Sequence, residues 1–542
     1  MMQNVPGALA IYLMFAVVLT IPISLTIIAL YRRAVREEMV RVGPSTQAGT
    51  SSPPQVRDLL ALPCRYDPTA LLQARLVIVF GLAALAWSAV SAGLEVLADG
   101  SGWGAFLFRM CVLIWPLAPA LSLLLALPVR WSLAFSLALW LAGISIIFAW
   151  SVFAKVVLGH ASAPFTQVVL DYSFYLVLEA GVPYLFIVLT SNRKLRPVSP
   201  LVLAGLLVFS FGYFGTKLLV MRALDFTQLR DILFALKQPP DLVGWMMTSL
   251  PIGVLCWLLL RWLARAFESK AFSDVQLVVD LWWLIATSSV CVTLSLRWSW
   301  QGMIGLVAFA AYRAVVSLGF FLWRIDGAVP GPRRLLLLRV FGYQRRTEAL
   351  LDHLGQRWRF NGNVNILAGA DLAGRTVDPG EMVSYLSGSF QSIYVRDSEE
   401  LRRRLDRLDE RRDPDGRFRV NDFFCYEGTW RETLEALLWR SDAVLMDLRG
   451  FTEGNSGCIF ELEKLVELAC LERTLFIVDD RTNVGLLRET LMAASNRQNR
   501  AQPTIRLATM QKHSGRELQG VLTTLYQQTS GQFAPLVGHQ AY

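Results

Sequence analysis

The residue types and spacing best suited to chemistry lie between Ser441 and Leu465, in SDAVLMDLRGFTEGNSGCIFELEKL. The stretch opens as a buried strand, passes through a loop with Gly450, Gly454 and Gly457, and enters a helix carrying Glu461 in its first turns. Gly454, Gly457 and the small Ser456 let the chain turn tightly and let a ligand approach the backbone. Free N–H groups at a helix start can hold an anion or orient a carboxylate. A carboxylate placed there can attack an anomeric carbon, or stabilise the oxocarbenium-like charge as a glycosidic bond breaks. The competing role for Glu461 is to complement its own helix N-terminus, worth about 0.3–1 kcal/mol.

Other residues fall near the same edge. Phe341, Gly342 and Tyr343 follow the first strand of this half of the chain. Asp371 follows a strand and a glycine, where it could contact a ribose hydroxyl or cap the next segment. Asp447 and Arg449 flank the cleft, and the planar fork of Arg449 suits a phosphate, unless it is a solvated loop cation. Asn455 and Gly457 shape the turn into the helix, and Cys458 reads as a small packing residue. There is no GxGxxG after a strand and no GxxxxGK[ST], so any nucleotide is held in another way. With four His, no HExxH and no CxxC among seven Cys, no metal site and no disulfide framework is expected.

The elements that must position these residues are short apolar strands alternating with amphipathic helices. Strands are expected at 335–341, 364–369, 418–426, 442–448, 474–480 and 504–508. Helices are expected at 345–358, around 381–390 and 398–412, at 429–440, after the 449–457 loop, near 483–494 and over 515–528. Thr429 with Glu432 three residues on has the spacing of a capping box. Such alternation predicts a cytoplasmic α/β domain over 326–542 with a mostly parallel, flavodoxin/TIR-like sheet covered on both faces. Ligands then bind outside the carboxyl ends of the strands, where the strand order reverses.

Residues 1–325 are of another kind. The 542-residue chain is 54% hydrophobic, above the roughly 45–50% usual in soluble domains. The excess predicts a multi-span helical membrane domain of about nine spans, near 8–30, 75–97, 107–127, 132–154, 171–191, 198–220, 243–263, 276–296 and 302–323. The N-terminal run is too long for a signal peptide and has its charges after it, so it reads as a retained span. Arginines cluster in the 32–74 segment and recur in alternate loops, which places the N-terminus outside and everything after 324 in the cytoplasm. The 32–74 segment, rich in Ser, Thr, Gly and Pro near 46–54, reads as a cytoplasmic linker. The expected location is therefore the plasma (inner) membrane, with the lipid bilayer as a partner. The net charge of +9 is explained by span orientation and calls for no nucleic acid, since no interleaved basic and aromatic RNA motif is present.

Glu179 and Arg313 fall near the middle of the fifth and ninth spans, where a charge faces the bundle interior or a water-filled cavity. They read either as an ion or substrate path or, preferentially, as a Glu–Arg pair locking two helices. Asp280 and Lys217 lie nearer span ends and can snorkel.

The pattern SDAVLMDL…GNSGCIFEL resembles nucleoside 2-deoxyribosyltransferases and TIR domains. The TIR motif reads roughly S-x-W-C-x-x-E-L, and its Glu is catalytic in the members that cleave NAD. In either family the catalytic Glu falls on Glu461, the deoxyribosyltransferase Gly on Gly457 and the TIR Cys on Cys458; an aromatic after the first strand corresponds to the Phe341–Tyr343 segment. The deoxyribosyltransferase Asp is Asn455 here, and the TIR Trp is Gly457. The resemblance implies N-glycosidic hydrolase or transferase chemistry on a nucleotide or nucleoside. NAD is then a substrate or ligand rather than a resident cofactor, and a stress or defence role is an analogy at the level of fold. Two other readings stand beside it. One is a non-enzymatic nucleotide sensor that gates the membrane domain, and the other a transporter with an accessory domain; homo-oligomer formation is left open.

Overall fold

The computed structural model describes residues 5–40, 68–114, 116–124, 199–223, 240–325, 333–340, 357–369, 379–499, 505–511 and 515–529, with isolated positions between 138 and 198 and at 350, 351 and 354. The chain forms two compact units. One comprises 1–29, 73–325 and 377–383, and the other 30–72, 326–376 and 384–542.

Five helices among the described residues are long and apolar enough to cross a membrane: Phe15–Met39, Leu71–Asp99, Ser249–Glu268, Asp274–Ser295 and Gln301–Trp323; the first runs from the first unit into the second at residue 30. They belong to α1 (Val5–Val40), α2 (Pro68–Asp99), α6 (Pro240–Glu268), α7 (Asp274–Trp298) and α8 (Leu306–Trp323), the last entered through a 3-10 turn at Ser299–Gly305. The span expected at 107–127 is interrupted. It forms α3 (Trp103–Val112) and α4 (Leu117–Leu124) on either side of Pro116, which has no N–H to continue the helical ladder. The span expected at 198–220 is α5 (Ser199–Ala223), while those at 132–154 and 171–191 lie almost wholly outside the described residues.

α2 and α7 run in the same direction. Trp87 Nε1 donates to Thr287 Oγ1 at 2.9 Å, and twelve residues further along α2, Asp99 pairs with Arg297 at 3.1 Å.

The second unit holds a seven-stranded, all-parallel sheet of order β3-β4-β2-β1-β5-β6-β7. The strands are β1 (Arg333–Arg339), β2 (Gly362–Ala368), β3 (Tyr394–Val395), β4 (Val420–Cys425), β5 (Ala443–Asp447), β6 (Thr474–Val478) and β7 (Leu507–Thr509). The period-2 alternation divides β1, β2, β5 and β6 between two cores. Leu336, Leu338, Val444 and Met446 face a cluster closed by α10 (Ser398–Asp406), α11 (Trp430–Arg440), α12 (Ser456–Glu467) and α13 (Val484–Arg497). Leu335, Leu337, Ala443 and Leu445 face a second cluster with Leu350, Leu354 and Trp358 and with α14 (Gly515–Thr529). A short helix, α9 (Pro379–Leu386), precedes β3. The sheet is tight at Gly362, where an added Cβ would lie 1.8 Å from the carbonyl oxygen of Arg333.

Three local expectations are revised. β3 escaped the pattern because two residues are too few to show a period. The box at Thr429 does not close. Its hydroxyl donates to Val395 O at 2.9 Å and Glu432 accepts instead from Ser398 Oγ at 2.9 Å, so both groups satisfy tertiary partners. Finally, α1 does not end near residue 30. It continues to Val40, so the first part of the expected 32–74 linker is helical.

Candidate functional site

The strand order reverses between β1 and β5, whose carboxyl ends lie side by side with Arg339 opposite Asp447. This is the position where a parallel sheet opens a crevice for a ligand. α12 follows β5 directly and brings Glu461 to the same end of the sheet. Two turns of the helix, Cys458 with Glu461 and Leu462 with Leu465, face inward and bury against the sheet. Cys458 Sγ lies 3.6 Å from Arg339 O, which ties the start of α12 to the end of β1.

Glu461 is only 3% exposed. Its Oε2 is buried without a hydrogen-bond partner. Burial pushes the carboxyl up to about 8, against the opposing pull of the Arg339 guanidinium. At neutral pH the side chain is therefore mostly a neutral acid rather than a carboxylate. A buried, unpaired carboxyl oxygen is costly to a fold, and such groups gather where chemistry is done.

The helix start is open. Asn455 is the N-cap residue, but its Oδ1 turns back to accept from Thr452 N at 2.9 Å and from Thr452 Oγ1 at 3.2 Å, leaving no side-chain cap. A Cβ at Gly457 would meet no atom within 4 Å. Backbone N–H groups of the first turn can thus be approached at Gly457.

Asp447 and Arg449 are both buried. Arg449 Nη2 and Nε reach the two oxygens of Asp447 at 2.5 and 2.7 Å, and Nη1 lies 3.3 Å from Met510 Sδ. The fork expected to face a phosphate or solvent is occupied within the protein. The loop after β5 is fixed by Asp479, whose Oδ1 accepts from Gly450 N and from Thr482 Oγ1, each at 2.9 Å. Gly450 has φ +75°, a conformation that favours glycine.

The structure thus gathers Glu461, Asn455, Gly457, Asp447 and Arg449 around the ends of β1 and β5. Phe341, Gly342, Tyr343 and Asp371 lie outside the described residues, as does Glu179. Arg313 belongs to the first unit, and among the described residues it pairs with Asp280, at 2.6 Å. Asp280, expected near a span end, is held by Arg313 and by the hydroxyl of Tyr312. Pattern reading missed Arg339, which donates through Nη1 to Leu367 O at 3.1 Å. The available signal was an arginine closing the apolar run LLLL. Among the described residues, no group of three or more His, Cys, Asp or Glu side chains converges as metal ligands.

No family model, no curated protein and no solved structure matches this chain.

Proposed function

We propose that the chain is an integral membrane protein whose α/β unit takes a nucleoside or nucleotide at the carboxyl ends of β1 and β5 and breaks its N-glycosidic bond. The observation that supports this reading is the Glu461 carboxyl, buried beside the strand-order reversal with one oxygen unpaired and its proton retained at neutral pH. A neutral carboxyl acts as a general acid, not as a nucleophile. It donates its proton to a ring nitrogen of the departing base as the C1′–N bond breaks and the electron pair passes to the base. Water then adds to the oxocarbenium-like sugar and returns a proton to Glu461. This role fits a substrate whose neutral base must gain a proton to leave. The pyridinium of NAD leaves uncharged without one, so NAD is the less suitable substrate for this acid.

The test is incubation of the detergent-solubilised full chain with adenosine, deoxyadenosine, AMP and NAD, and measurement of released base. Release from the purine substrates that is lost in Glu461→Gln supports the reading. Turnover of NAD alone removes the acid role, and turnover of none removes the enzyme.

A second reading is nucleotide sensing without turnover. Residues 30–40 of α1 belong to the α/β unit, and the same helix continues into an apolar span; in this reading a bound nucleotide acts on that helix. Nucleotide-dependent change in amide exchange at Tyr31–Glu38, with no product formed, distinguishes it.

A further inference from the structure

Helix α7 carries a polar side chain on one face at each of four successive turns: Gln276, Asp280, Trp283 and Thr287. Spacings of three and four residues keep them in line. Ser288, Ser289 and Thr293 add further hydroxyls to the helix, and Ser288 and Thr293 turn theirs back to carbonyls one turn earlier; the larger polar groups of the ladder are costly in hydrocarbon unless they are paired. Helix α2 has a matching ladder, Trp87, Ser91, Glu95 and Asp99, again one per turn. The two helices are parallel, and the Trp87–Thr287 hydrogen bond at 2.9 Å joins the end of one ladder to the start of the other. From Gln276 to the level of Arg297 the combined track is 21 residues long, about 31 Å of helix rise, close to the thickness of a bilayer core.

The track is not fully satisfied by protein. Gln276 Oε1, Trp283 Nε1 and Ser91 Oγ are buried without a hydrogen-bond partner, and the three residues are at most 2% exposed. They sit on the two ladders at separate levels, so the deficit recurs along the seam rather than at one spot. Buried polar groups of this kind are usually completed by water. The walls between them are large aromatic side chains in contact, with Trp87 edge-on to Trp283 at 5.2 Å and Trp283 stacked on Tyr312 at 5.0 Å. Such packing suits a single file of water better than a hydrated ion.

Near one end of the track stands an ion pair. Asp280 Oδ2 meets Arg313 Nη1 of α8 at 2.6 Å, and Tyr312 donates to Asp280 Oδ1 at 3.1 Å. The α2 side chain beside Tyr312, Phe80, is apolar. α4 and the 3-10 turn, also packed on α7, carry no charged residue. α5 packs on α7 and carries Lys217 and Arg222, whose side chains lie outside those described. At the other end, Asp99 pairs with Arg297 at 3.1 Å and with Arg109, which also approaches Glu95 at 3.8 Å.

We propose that the seam of α2, α7 and α8 conducts protons through the first unit, with Asp280 as the exchanging carboxylate. A proton delivered along the water file adds to Asp280, converting the Asp280–Arg313 ion pair to a neutral acid beside a guanidinium. Its release to the next station restores the pair. Nothing is oxidised or reduced, and Arg313 keeps its charge throughout.

The test uses the full chain in liposomes loaded with a pH-sensitive dye, driven by a valinomycin-set potassium potential. Proton entry above that of protein-free liposomes is expected. In Asp280→Asn it is expected to fall to the protein-free level. Ser91→Ala leaves the ion pair intact and is expected to slow entry; it serves as the second arm where Asp280→Asn does not reconstitute. Entry at the protein-free rate in the unaltered chain overturns the proposal. So do a flux carried by sodium in place of protons and entry unchanged in every variant that reconstitutes.

Discussion

Tyr426 donates a hydrogen bond to the carboxylate of Glu38 at 3.1 Å, joining residues 388 positions apart. Nearby, Tyr394 donates to Val35 O at 3.2 Å. Tyr31, fully buried, meets Tyr385 and Phe390 edge-on at 5.4 and 5.3 Å. The last turns of α1 are therefore part of the α/β unit and pack at its β3 edge. Removing the ring in Tyr31→Ala is expected to cost about 3–5 kcal/mol, as for other large aromatic truncations. The check is hydrogen exchange on the full chain: β3 and β4 amides should exchange faster while β5 and β6 are unaffected. Unchanged exchange at β3 would show that the docking adds no stability.

The buried acid sets a pH dependence. Below about 4.5 Glu461 is protonated in folded and unfolded chains alike, and its contribution is constant. Between about 4.5 and 8 the unfolded chain releases the proton and the folded chain keeps it, so stability falls as pH rises. The limiting slope is about 1.4 kcal/mol per pH unit. Glu461→Gln is expected to lack this component, so its stability relative to the unaltered chain should rise across the window. Parallel melting curves of the two proteins between pH 5 and about 8 read the difference, and curves that stay a fixed distance apart contradict a retained proton.

Asp447 and Arg449 are a buried pair held at 2.5 Å. Arg449→Ala leaves a buried carboxylate without its cation and is expected to cost about 3–5 kcal/mol. Asp447→Asn combined with Arg449→Met removes both charges and should recover most of that loss. Thermal unfolding of the single and double variants decides it; a double variant as unstable as the single one argues against the pair as the cause.

Burial raises the Cys425 thiol to about 12 and also pushes the Cys458 thiol up, with Glu461 adding to the rise there. Both are buried, as is Cys470. Thiolate, not thiol, attacks an alkylating reagent, so none of the three should react with iodoacetamide at pH 8 until the α/β unit unfolds. Peptide mass analysis before and after denaturation provides the comparison. Rapid labelling of Cys458 in the native protein would mean that the start of α12 opens readily.

Much of the architecture is local and was legible. Leu335 to Leu338 and Ala443 to Asp447 form strands because runs of apolar residues bounded by turns have few other stable conformations. The helices of the first unit follow from apolar length, and the place of Glu461 just after a strand follows from GNSG breaking the chain before the helix. Pairings between distant segments were not legible. The order of the strands, Arg339 opposite Asp447, Arg313 held by Asp280 and Tyr426 meeting Glu38 all join residues far apart in the chain. A periodic pattern tells a side chain which face to turn inward, whereas its partner is chosen by packing across the whole fold. For the same reason Thr429 and Glu432 abandoned their capping box for Val395 and Ser398. Likewise, only the folded core, by excluding water around position 461, turned an ordinary glutamate into a neutral acid.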